Sequence, residues 1–285
     1  MTPFPQGRRL SGEGCCPEDV RGLFQREIWD HYRIAGRCFP WRETFDPYRI
    51  LVSEFMLQQT QTERVLGKYE GFVEEFPGFE ALAGADLQAV LRSWQGLGYN
   101  RRALALKDTA RRVVSEHGGT LPRTLEGLLA LPGVGRSTAG ALLAFAHGIP
   151  VPFIETNIRR VFIQFFFPSR DGVKDREILP LVEETLDRQD PRGWYYALMD
   201  YGAMLKKKHP NPNRKSVHYT RQAPFEGSDR QLRGAILKAL LSQGPLEARC
   251  LEKGMGKDPV RFYRVLGDLV REGFLKQSGG TVAVA

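Results

Sequence analysis

The strongest constraint on the fold is a helical pattern that runs almost without interruption from Asp19, a candidate N-cap, to Leu205. Apolar residues recur at helical spacing in this region, and short breaks such as "EFPGFE", "GLGYN", "HGGTLP" and "LPGVG" separate the segments. Alternating patterns typical of β-strands are scarce there. The sequence therefore predicts an all-helical domain with short connections.

The remaining segments suggest a domain organisation. Residues 1–20 lack periodicity and are rich in Gly, Pro and charge, which predicts a flexible leader before a helical domain at 21–208. The prolines in "HPNPNRK" do not permit a continued helix, so 209–227 is interpreted as a basic linker. Residues 228–285 contain three helix patterns and two short apolar strands around "QSGG", which predict a winged-helix-like domain.

The third helix of such a domain often enters a DNA major groove. Arg261, Arg264 and Arg271 lie in that helix pattern and would suit phosphates. A small docking domain with an ordinary solvated basic face is the alternative interpretation.

The charge of the chain favours a polyanionic partner. The formal net charge is +8, and six Lys or Arg residues occur between Met204 and Phe225 with no Asp or Glu. A merely soluble basic surface is the alternative. No uncharged apolar run approaches the roughly 18 to 20 residues of a membrane span, and no secretory pattern precedes the first helix. We therefore expect a cytoplasmic, nucleoid-associated protein with no membrane partner.

The segment "LPGVG" predicts a tight hairpin between the helix patterns "TLEGLLA" and "RSTAGALLAFA". Glycines let such a turn adopt positive φ and leave its amides uncovered. Amides at the start of the second helix form a phosphate site that reads the backbone and not the sequence. A plain helical corner is the alternative. The turn's carbonyls also suit an alkali ion. The candidate DNA-binding residues here are Pro132, Gly133, Val134, Gly135, Arg136 and Ser137.

Two carboxylates lie in apolar stretches, Glu155 after "IPVPFI" and Glu54 within "PYRILVSEFMLQQTQTERV". An ionised carboxylate in such surroundings costs several kcal/mol unless it is paired. Arg159 or Arg160 could neutralise Glu155, or it could cap the helix that Asn157 begins, and Glu54 could form a salt bridge. The functional interpretation is hydrolysis of an N-glycosidic bond, in which one acid protonates the leaving base and one carboxylate stabilises an oxocarbenium-like sugar.

Together these elements resemble the helix-hairpin-helix DNA glycosylases, the HhH-GPD superfamily, and within them the adenine DNA glycosylases of the MutY kind. The segments "SEFMLQQTQ", "WQGLGY", "LPGVGRSTAGALLAFAHG", "NIRRV" and "MDYGAM" look like that family's segments, in order and at matching separations. The resemblance covers roughly residues 25–205.

The resemblance implies an all-α, two-lobed HhH-GPD glycosylase fold that acts as a monomer on double-stranded DNA containing a damaged or mismatched base, which is flipped into a cleft. Glu54 then matches the acid that protonates the purine at N7, Glu155 the carboxylate that stabilises the sugar cation, and Asn157 its polar neighbour. Gln59 matches a glutamine that wedges into the stack, and Tyr99 a tyrosine inserted near the lesion. We expect phosphate contacts from Lys207, Lys208 and Arg214.

The chain also departs from the family's pattern. Ser137 stands where bifunctional relatives such as endonuclease III carry a lysine, which argues against efficient strand cleavage. Glu155 stands where the family usually has Asp. The four cysteines that follow "MDYGAM" in the family, and ligate a [4Fe–4S] cluster, are missing, because this sequence has no cysteine between Cys38 and Cys250. We therefore expect no cluster, no redox cofactor and no side-chain metal site.

We predict a monofunctional DNA glycosylase of base excision repair. Its leaving base is expected to be a purine, either adenine opposite 8-oxoguanine or guanine, or hypoxanthine, because protonation at N7 assists only purines. We expect that the winged-helix-like domain stands in place of the family's C-terminal 8-oxoguanine-recognition domain. A non-catalytic lesion-binding protein and an abasic-site lyase stay open as alternatives.

Overall fold

The computed structural model describes residues 18–208, 210–256 and 258–285. The predicted leader therefore lies outside the described residues, except for its last three positions, which belong to the first helix. Between residues 18 and 208 the described chain contains helices and no strand, as the hydrophobic periodicity predicted. No helix among the described residues is both long enough and apolar enough to cross a membrane.

The described residues form fifteen α-helices, one short 3₁₀ helix and three strands. The first twelve helices are α1 (Glu18–Ala35), α2 (Pro40–Glu43), α3 (Pro47–Leu57), α4 (Thr62–Glu75), α5 (Phe79–Gly84), α6 (Leu87–Ser93), α7 (Arg101–His117), α8 (Leu125–Leu129), α9 (Arg136–His147), α10 (Thr156–Phe166), α11 (Asp175–Thr185) and α12 (Pro191–Lys208). After the 3₁₀ helix (Pro212–Lys215) come α13 (Asp229–Gln243), β1 (Leu246–Glu247), α14 (Ala248–Met255), α15 (Pro259–Arg271), β2 (Leu275–Ser278) and β3 (Thr281–Val284).

The chain folds into two compact units. Among the described residues, unit 1 comprises 18–50, Arg123–Leu129 and Val134–Arg221, and unit 2 comprises Leu51–Pro122, Ala130–Gly133 and Gln222–Ala285. The chain passes from one unit to the other five times, once within α3 and once within the "LPGVG" hairpin. The predicted domain boundaries follow the sequence order, whereas these units collect segments that are distant in sequence, so those boundaries stay a prediction.

The core of unit 1 forms where α1, α10 and α12 pack together. Apolar residues at helical spacing on α10 are fully buried, and the ring of Phe162 lies 5.3 Å from that of Phe24 on α1. Phe24 in turn lies 5.9 Å from Trp194 on α12. Gly202 allows α12 to approach the first turn of α10, because a Cβ there would lie 2.5 Å from the carbonyl oxygen of Asn157.

An ion network around a buried carboxylate holds α12 to α2 and to the loop before it. Both Arg37 and Arg42 donate to the carboxylate of Asp200, whose side chain is almost completely buried. Burial alone would raise the pKa of Asp200, but the hydrogen bonds and charges of the two guanidinium groups hold that pKa below its usual value. The "MDYGAM" segment is therefore fixed by paired charges.

In unit 2, α4 to α7 pack around Phe72, Val90 and Trp94, all of which are fully buried. Lys107 on α7 is also buried, and its ammonium group donates to three carbonyls at the end of α5. Burial lowers the pKa of Lys107. This lysine therefore closes the C-terminus of α5, whose last carbonyls have no partner within the helix.

The C-terminal part of unit 2 has three helices and a small antiparallel sheet with strand order β1-β3-β2. Ser228 caps α13, and β2 and β3 pair around the "QSGG" turn with Leu275 opposite Val284. The short strand β1 was not predicted. It pairs Leu246 with Val282. The winged-helix-like class of this region stays a prediction.

Candidate active site

Glu155 is the N-cap of α10. Its Oε1 accepts hydrogen bonds from the backbone N–H groups of Asn157 at 2.6 Å and Ile158 at 2.8 Å. These two amides would otherwise lack partners in the first turn of the helix. Glu155 therefore has one of the structural roles that the sequence suggested for it, that of a helix cap. Its other oxygen, Oε2, accepts a 3.3 Å hydrogen bond from the side chain of Asn157.

Neither neighbouring arginine forms an ion pair with Glu155 in the described structure. Arg159 instead makes two 2.7 Å hydrogen bonds to Asp175. Arg160 donates to the side-chain oxygen of Asn157 at 2.6 Å and to the carbonyl of Gly202 at 2.7 Å. The side-chain amide of Asn157 therefore binds the Glu155 carboxylate, and the buried guanidinium of Arg160 orients that amide. Neither arginine neutralises Glu155 by direct contact.

Burial raises the pKa of Glu155 above its ordinary value, and the backbone hydrogen bonds and the charges of Arg160 and Arg159 oppose that rise. Its neighbours Phe153 and Ile158 are buried, which accounts for the apolar environment that the sequence indicated. The site therefore keeps a half-buried carboxylate whose ionised form is costly and is stabilised mainly by hydrogen bonds.

The segment interpreted as a basic linker takes part in this network. Asn213 is 4% exposed, and its side-chain amide donates to the carbonyl of Thr156 at 2.8 Å. Arg160 donates through Nε to Asn211 at 3.1 Å. The first turn of α10 is therefore supported by residues after α12, a role that the sequence did not reveal because polar loop residues resemble one another in composition.

Glu54 lies on α3, in unit 2, whereas Glu155 belongs to unit 1. The Glu54 side chain is half-buried, and the residues on both sides of it, Ser53 and Phe55, are 1% and 0% exposed. Its carboxylate therefore lies in the largely apolar helix that the sequence predicted.

Gln59 and Tyr99, the two residues expected to insert into DNA, share an unusual backbone conformation. Their φ angles are +56° and +48°, and among the described residues they are the two non-glycine residues with positive φ. This region costs roughly 1 kcal/mol or more for residues other than glycine and is enriched at functional sites. Both residues also line one open groove of unit 2.

Arg102 holds both strained turns. Its side chain is buried, and the guanidinium carbon lies 5.5 Å from the ring centroid of Tyr99. Burial lowers the pKa of Arg102 to about 10. Sequence reasoning missed this residue, although an arginine on the apolar face of "NRRALALK" was the available signal. Its guanidinium donates to the carbonyls of Phe55, Met56, Gln58, Leu97 and Gly98 and to the hydroxyl of Thr60.

The hairpin adopts the predicted turn. Gly133 has φ +73°, and a Cβ on it would lie 2.9 Å from both Ala105 and the ring of Phe55. Gly135 is the N-cap of α9 and provides no side-chain cap, so the first amides of that helix are open to a phosphate. The carbonyls of Pro132 and Gly133 accept hydrogen bonds from Thr109 and Gln58. The predicted alkali ion at this turn stays a prediction.

Sequence comparison identifies the family. The model of the HhH-GPD superfamily base excision DNA repair proteins matches residues 52–184. The adenine DNA glycosylase of Mycolicibacterium smegmatis is 33% identical over 279 residues, which span 91% of this chain and 95% of that protein. The chain belongs to the adenine DNA glycosylase family.

Solved structures agree on the fold of this glycosylase. A thermostable thymine-DNA glycosylase has a TM-score of 0.60 and 27% identity, with coverage of 68% of this chain and 91% of that chain. A non-covalent endonuclease III–DNA complex has a TM-score of 0.54 at 19% identity, covering 85% and 100% of the two chains, and shows the shared fold. The prediction of an HhH-GPD DNA N-glycosylase of base excision repair is confirmed, and DNA is its partner.

The other predicted DNA-binding residues of the glycosylase lie at or near the surface. Arg136 is exposed in the first turn of α9, and Ser137 beside it is half-buried. Lys207 and Lys208 are exposed in the last turn of α12, and Arg214 is exposed on the 3₁₀ helix. Their phosphate contacts stay predictions.

The arginines of α15 are engaged elsewhere. Arg261 and Arg264 both pair with Asp229, and Arg271 pairs with Asp268. These ion pairs compete with the phosphate contacts that the sequence suggested for the third helix of the C-terminal domain.

Proposed function

We propose that the protein hydrolyses the N-glycosidic bond of an adenine that is mispaired in double-stranded DNA, opposite 8-oxoguanine or guanine. The observation that carries this proposal is the environment of Glu155, a half-buried carboxylate held by the Asn157 amide and not neutralised by an arginine. A helix cap alone does not need such a costly group, because Ser, Thr or Asn would cap equally well. The name of the relative from Mycolicibacterium smegmatis supports adenine as the base. Hypoxanthine is the second purine to test.

In the proposed reaction, Glu54 protonates the flipped adenine at N7. The bond between C1′ and N9 breaks, and its electron pair stays on the base. The carboxylate of Glu155 stabilises the positive charge that develops on the sugar, and Asn157 keeps that carboxylate in place. Water then adds to C1′ and gives a proton to the Glu54 carboxylate, which restores the acid, and the products are free adenine and an abasic site.

We infer that the enzyme is monofunctional, because Ser137 offers no amine for a Schiff base at the position where bifunctional relatives carry lysine. The buried Lys107 does not substitute, since its ammonium group is bound by carbonyls of α5. Strand cleavage by purified protein that borohydride traps as a covalent complex would contradict this inference and favour the abasic-site lyase.

We also propose that the fold does without a [4Fe–4S] cluster. The sequence has four cysteines, at 15, 16, 38 and 250, so only one follows "MDYGAM" and a set of four thiolate ligands after that segment is missing. Hydrogen bonds hold that region, since Val173 and Ser216 form a bridge and Asn213 is bound to Thr156. Iron–sulfur absorption in the visible spectrum of native protein would refute the proposal.

The test is base release from labelled duplexes that contain adenine opposite 8-oxoguanine, adenine opposite guanine, hypoxanthine, uracil or thymine opposite guanine, or alkylated purines. Hot alkali reveals the abasic sites, and Glu54→Gln protein is the control. We expect release of adenine and a loss of about 10² to 10⁴ in rate in the control. Tight binding with no release from any duplex would favour the non-catalytic lesion-binding protein.

A further inference from the structure

The open groove in unit 2 extends beyond the turns of Gln59 and Tyr99. It has a volume of about 1160 Å³ and is also lined by α13 of the C-terminal region. The α13 residues in its lining recur three or four positions apart, from Arg230 through Leu237 to Leu241, so one face of the helix forms a wall. A helix with no known role therefore adjoins the residues expected to insert into DNA.

The lining of this groove is basic. Its one carboxylate, Asp229, is already paired with arginines of α15. Lys238 is exposed, and no ion pair within the described part of the chain engages it. A surface with this charge distribution binds phosphates through counterion release. The basic residues that line the groove are Arg64, Lys68, Arg101, Arg102, Arg230, Arg233 and Lys238.

Two contacts tie α13 to the Tyr99 turn. Arg230 donates to the phenolic oxygen of Tyr99, and its guanidinium carbon lies 5.4 Å from the ring centroid. Glu272 accepts hydrogen bonds from both Arg101, which begins α7, and Arg233 on α13. These arginines lower the pKa of Glu272 to about 2. The α13 face is therefore fixed to the segment that presents Tyr99.

An aromatic residue completes the surface. Phe225 is 59% exposed and lies in the groove lining, and the guanidinium carbon of Arg230 is 6.0 Å from its ring centroid. Exposed aromatic rings beside cations are typical of surfaces that stack nucleic-acid bases.

We propose that α13 forms the second wall of the DNA-binding groove, with Lys238 at a backbone phosphate of the strand that Gln59 and Tyr99 enter. DNA contact in the C-terminal region is thereby assigned to its first helix. The third helix, α15, keeps its arginines in ion pairs with Asp229 and Asp268. This inference rests on the proposed function only for the statement that the bound strand belongs to a duplex with a flipped nucleotide.

The test measures the Kd of the full chain for a fluorescent duplex that carries a tetrahydrofuran abasic-site analogue, over a series of salt concentrations. Lys238→Glu is compared with Lys276→Glu, which makes the same charge change at an exposed site on β2 outside the groove. We expect Lys238→Glu to raise Kd about tenfold and to reduce the slope of log Kd against log salt by about 1 or more. We expect Lys276→Glu to change Kd less than about twofold, because its charge is screened from the groove.

If both variants weakened DNA binding equally, the loss would follow from the net charge of the protein alone, and the proposal would be overturned. An unchanged Kd for Lys238→Glu would also overturn it. The milder Lys238→Gln should give a smaller loss of affinity in the same direction, which separates loss of a phosphate contact from introduced repulsion. Since the analogue carries no base, these results do not depend on whether the protein releases adenine.

Discussion

The carboxylate at Glu155 and the turns of Gln59 and Tyr99 are held in place by opposite means. At Glu155, two backbone amides and the Asn157 side chain, all in the first turn of α10, bind a carboxylate whose charge burial makes costly. Arg160 orients Asn157, and Asn213 binds the carbonyl of Thr156 in the same turn. At the two turns, the backbone is strained and a single buried guanidinium collects the carbonyls around it. The difference indicates that the position of the Glu155 carboxylate depends on electrostatics, whereas that of the two residues predicted to insert into DNA depends on backbone geometry.

The largest effect on stability is expected from Arg102→Met. This change leaves five carbonyls and the hydroxyl of Thr60 without their buried donor, and we expect the free energy of unfolding to fall by about 3 kcal/mol. Denaturant unfolding measures it. Arg101→Met is the matched control, because the Arg101 side chain is 72% exposed, and a similar loss there would contradict the role of Arg102 as the support of both turns.

A smaller effect, on rate, is expected from Asn213→Ala. The first turn of α10 then loses the donor to the Thr156 carbonyl, and we expect single-turnover adenine release to slow about tenfold, the equivalent of one hydrogen bond. Arg214→Ala is the control on the same segment, because Arg214 is exposed and should change DNA affinity and not the rate at saturation. If Asn213→Ala lowered Tm but left the kinetics unchanged, Asn213 would stabilise the fold and have no part in catalysis.

The pH dependence of adenine release tests whether electrostatics holds the Glu155 carboxylate. Because burial raises the pKa of Glu155, we expect the rate of release to fall on the acidic side at a pH above the ordinary carboxyl value of about 4.3, as the stabilising anion takes up a proton. Loss of support in Asn213→Ala should move this limb to higher pH. An acidic limb at or below the ordinary value in the wild-type protein would show that the site does not hold Glu155 as the structure indicates.

The smallest effect is expected from Gln59→Gly. Glycine relieves the left-handed strain but also increases the entropy of the unfolded chain, so the free energy of unfolding should change by less than about 1 kcal/mol. Affinity for lesion DNA should nevertheless fall, because the inserting side chain is gone. A large loss of stability would mean that Gln59 has a packing role that the groove geometry does not explain.

Sequence reasoning predicted the helical domain, the hairpin and the carboxylates, because each leaves a local signal: hydrophobic periodicity, a Gly-rich turn, or an acid in an apolar run. The same reasoning left open whether Arg160 neutralises Glu155, since the answer depends on Asn157 and on Gly202 of a distant helix. It also missed Arg102 and Asn213, because their contacts with α3, Thr60 and Thr156 join residues 42 to 57 positions apart along the chain and leave no local pattern. Contacts of this kind arise only from tertiary packing.

The most direct test of the account compares wild-type protein with Glu155→Gln in single-turnover adenine release from a duplex with adenine opposite 8-oxoguanine, together with Tm at neutral pH. Because the folded-state pKa of Glu155 is raised, its contribution to stability is full below the unfolded pKa and is lost as pH rises through the folded pKa. At neutral pH the neutral glutamine therefore avoids the burial of charge, and Tm should stay equal or rise. We expect the rate to fall by about 10² to 10³. An unchanged rate, or a loss of rate matched by a collapse in Tm, would contradict the role of Glu155 as a catalytic anion.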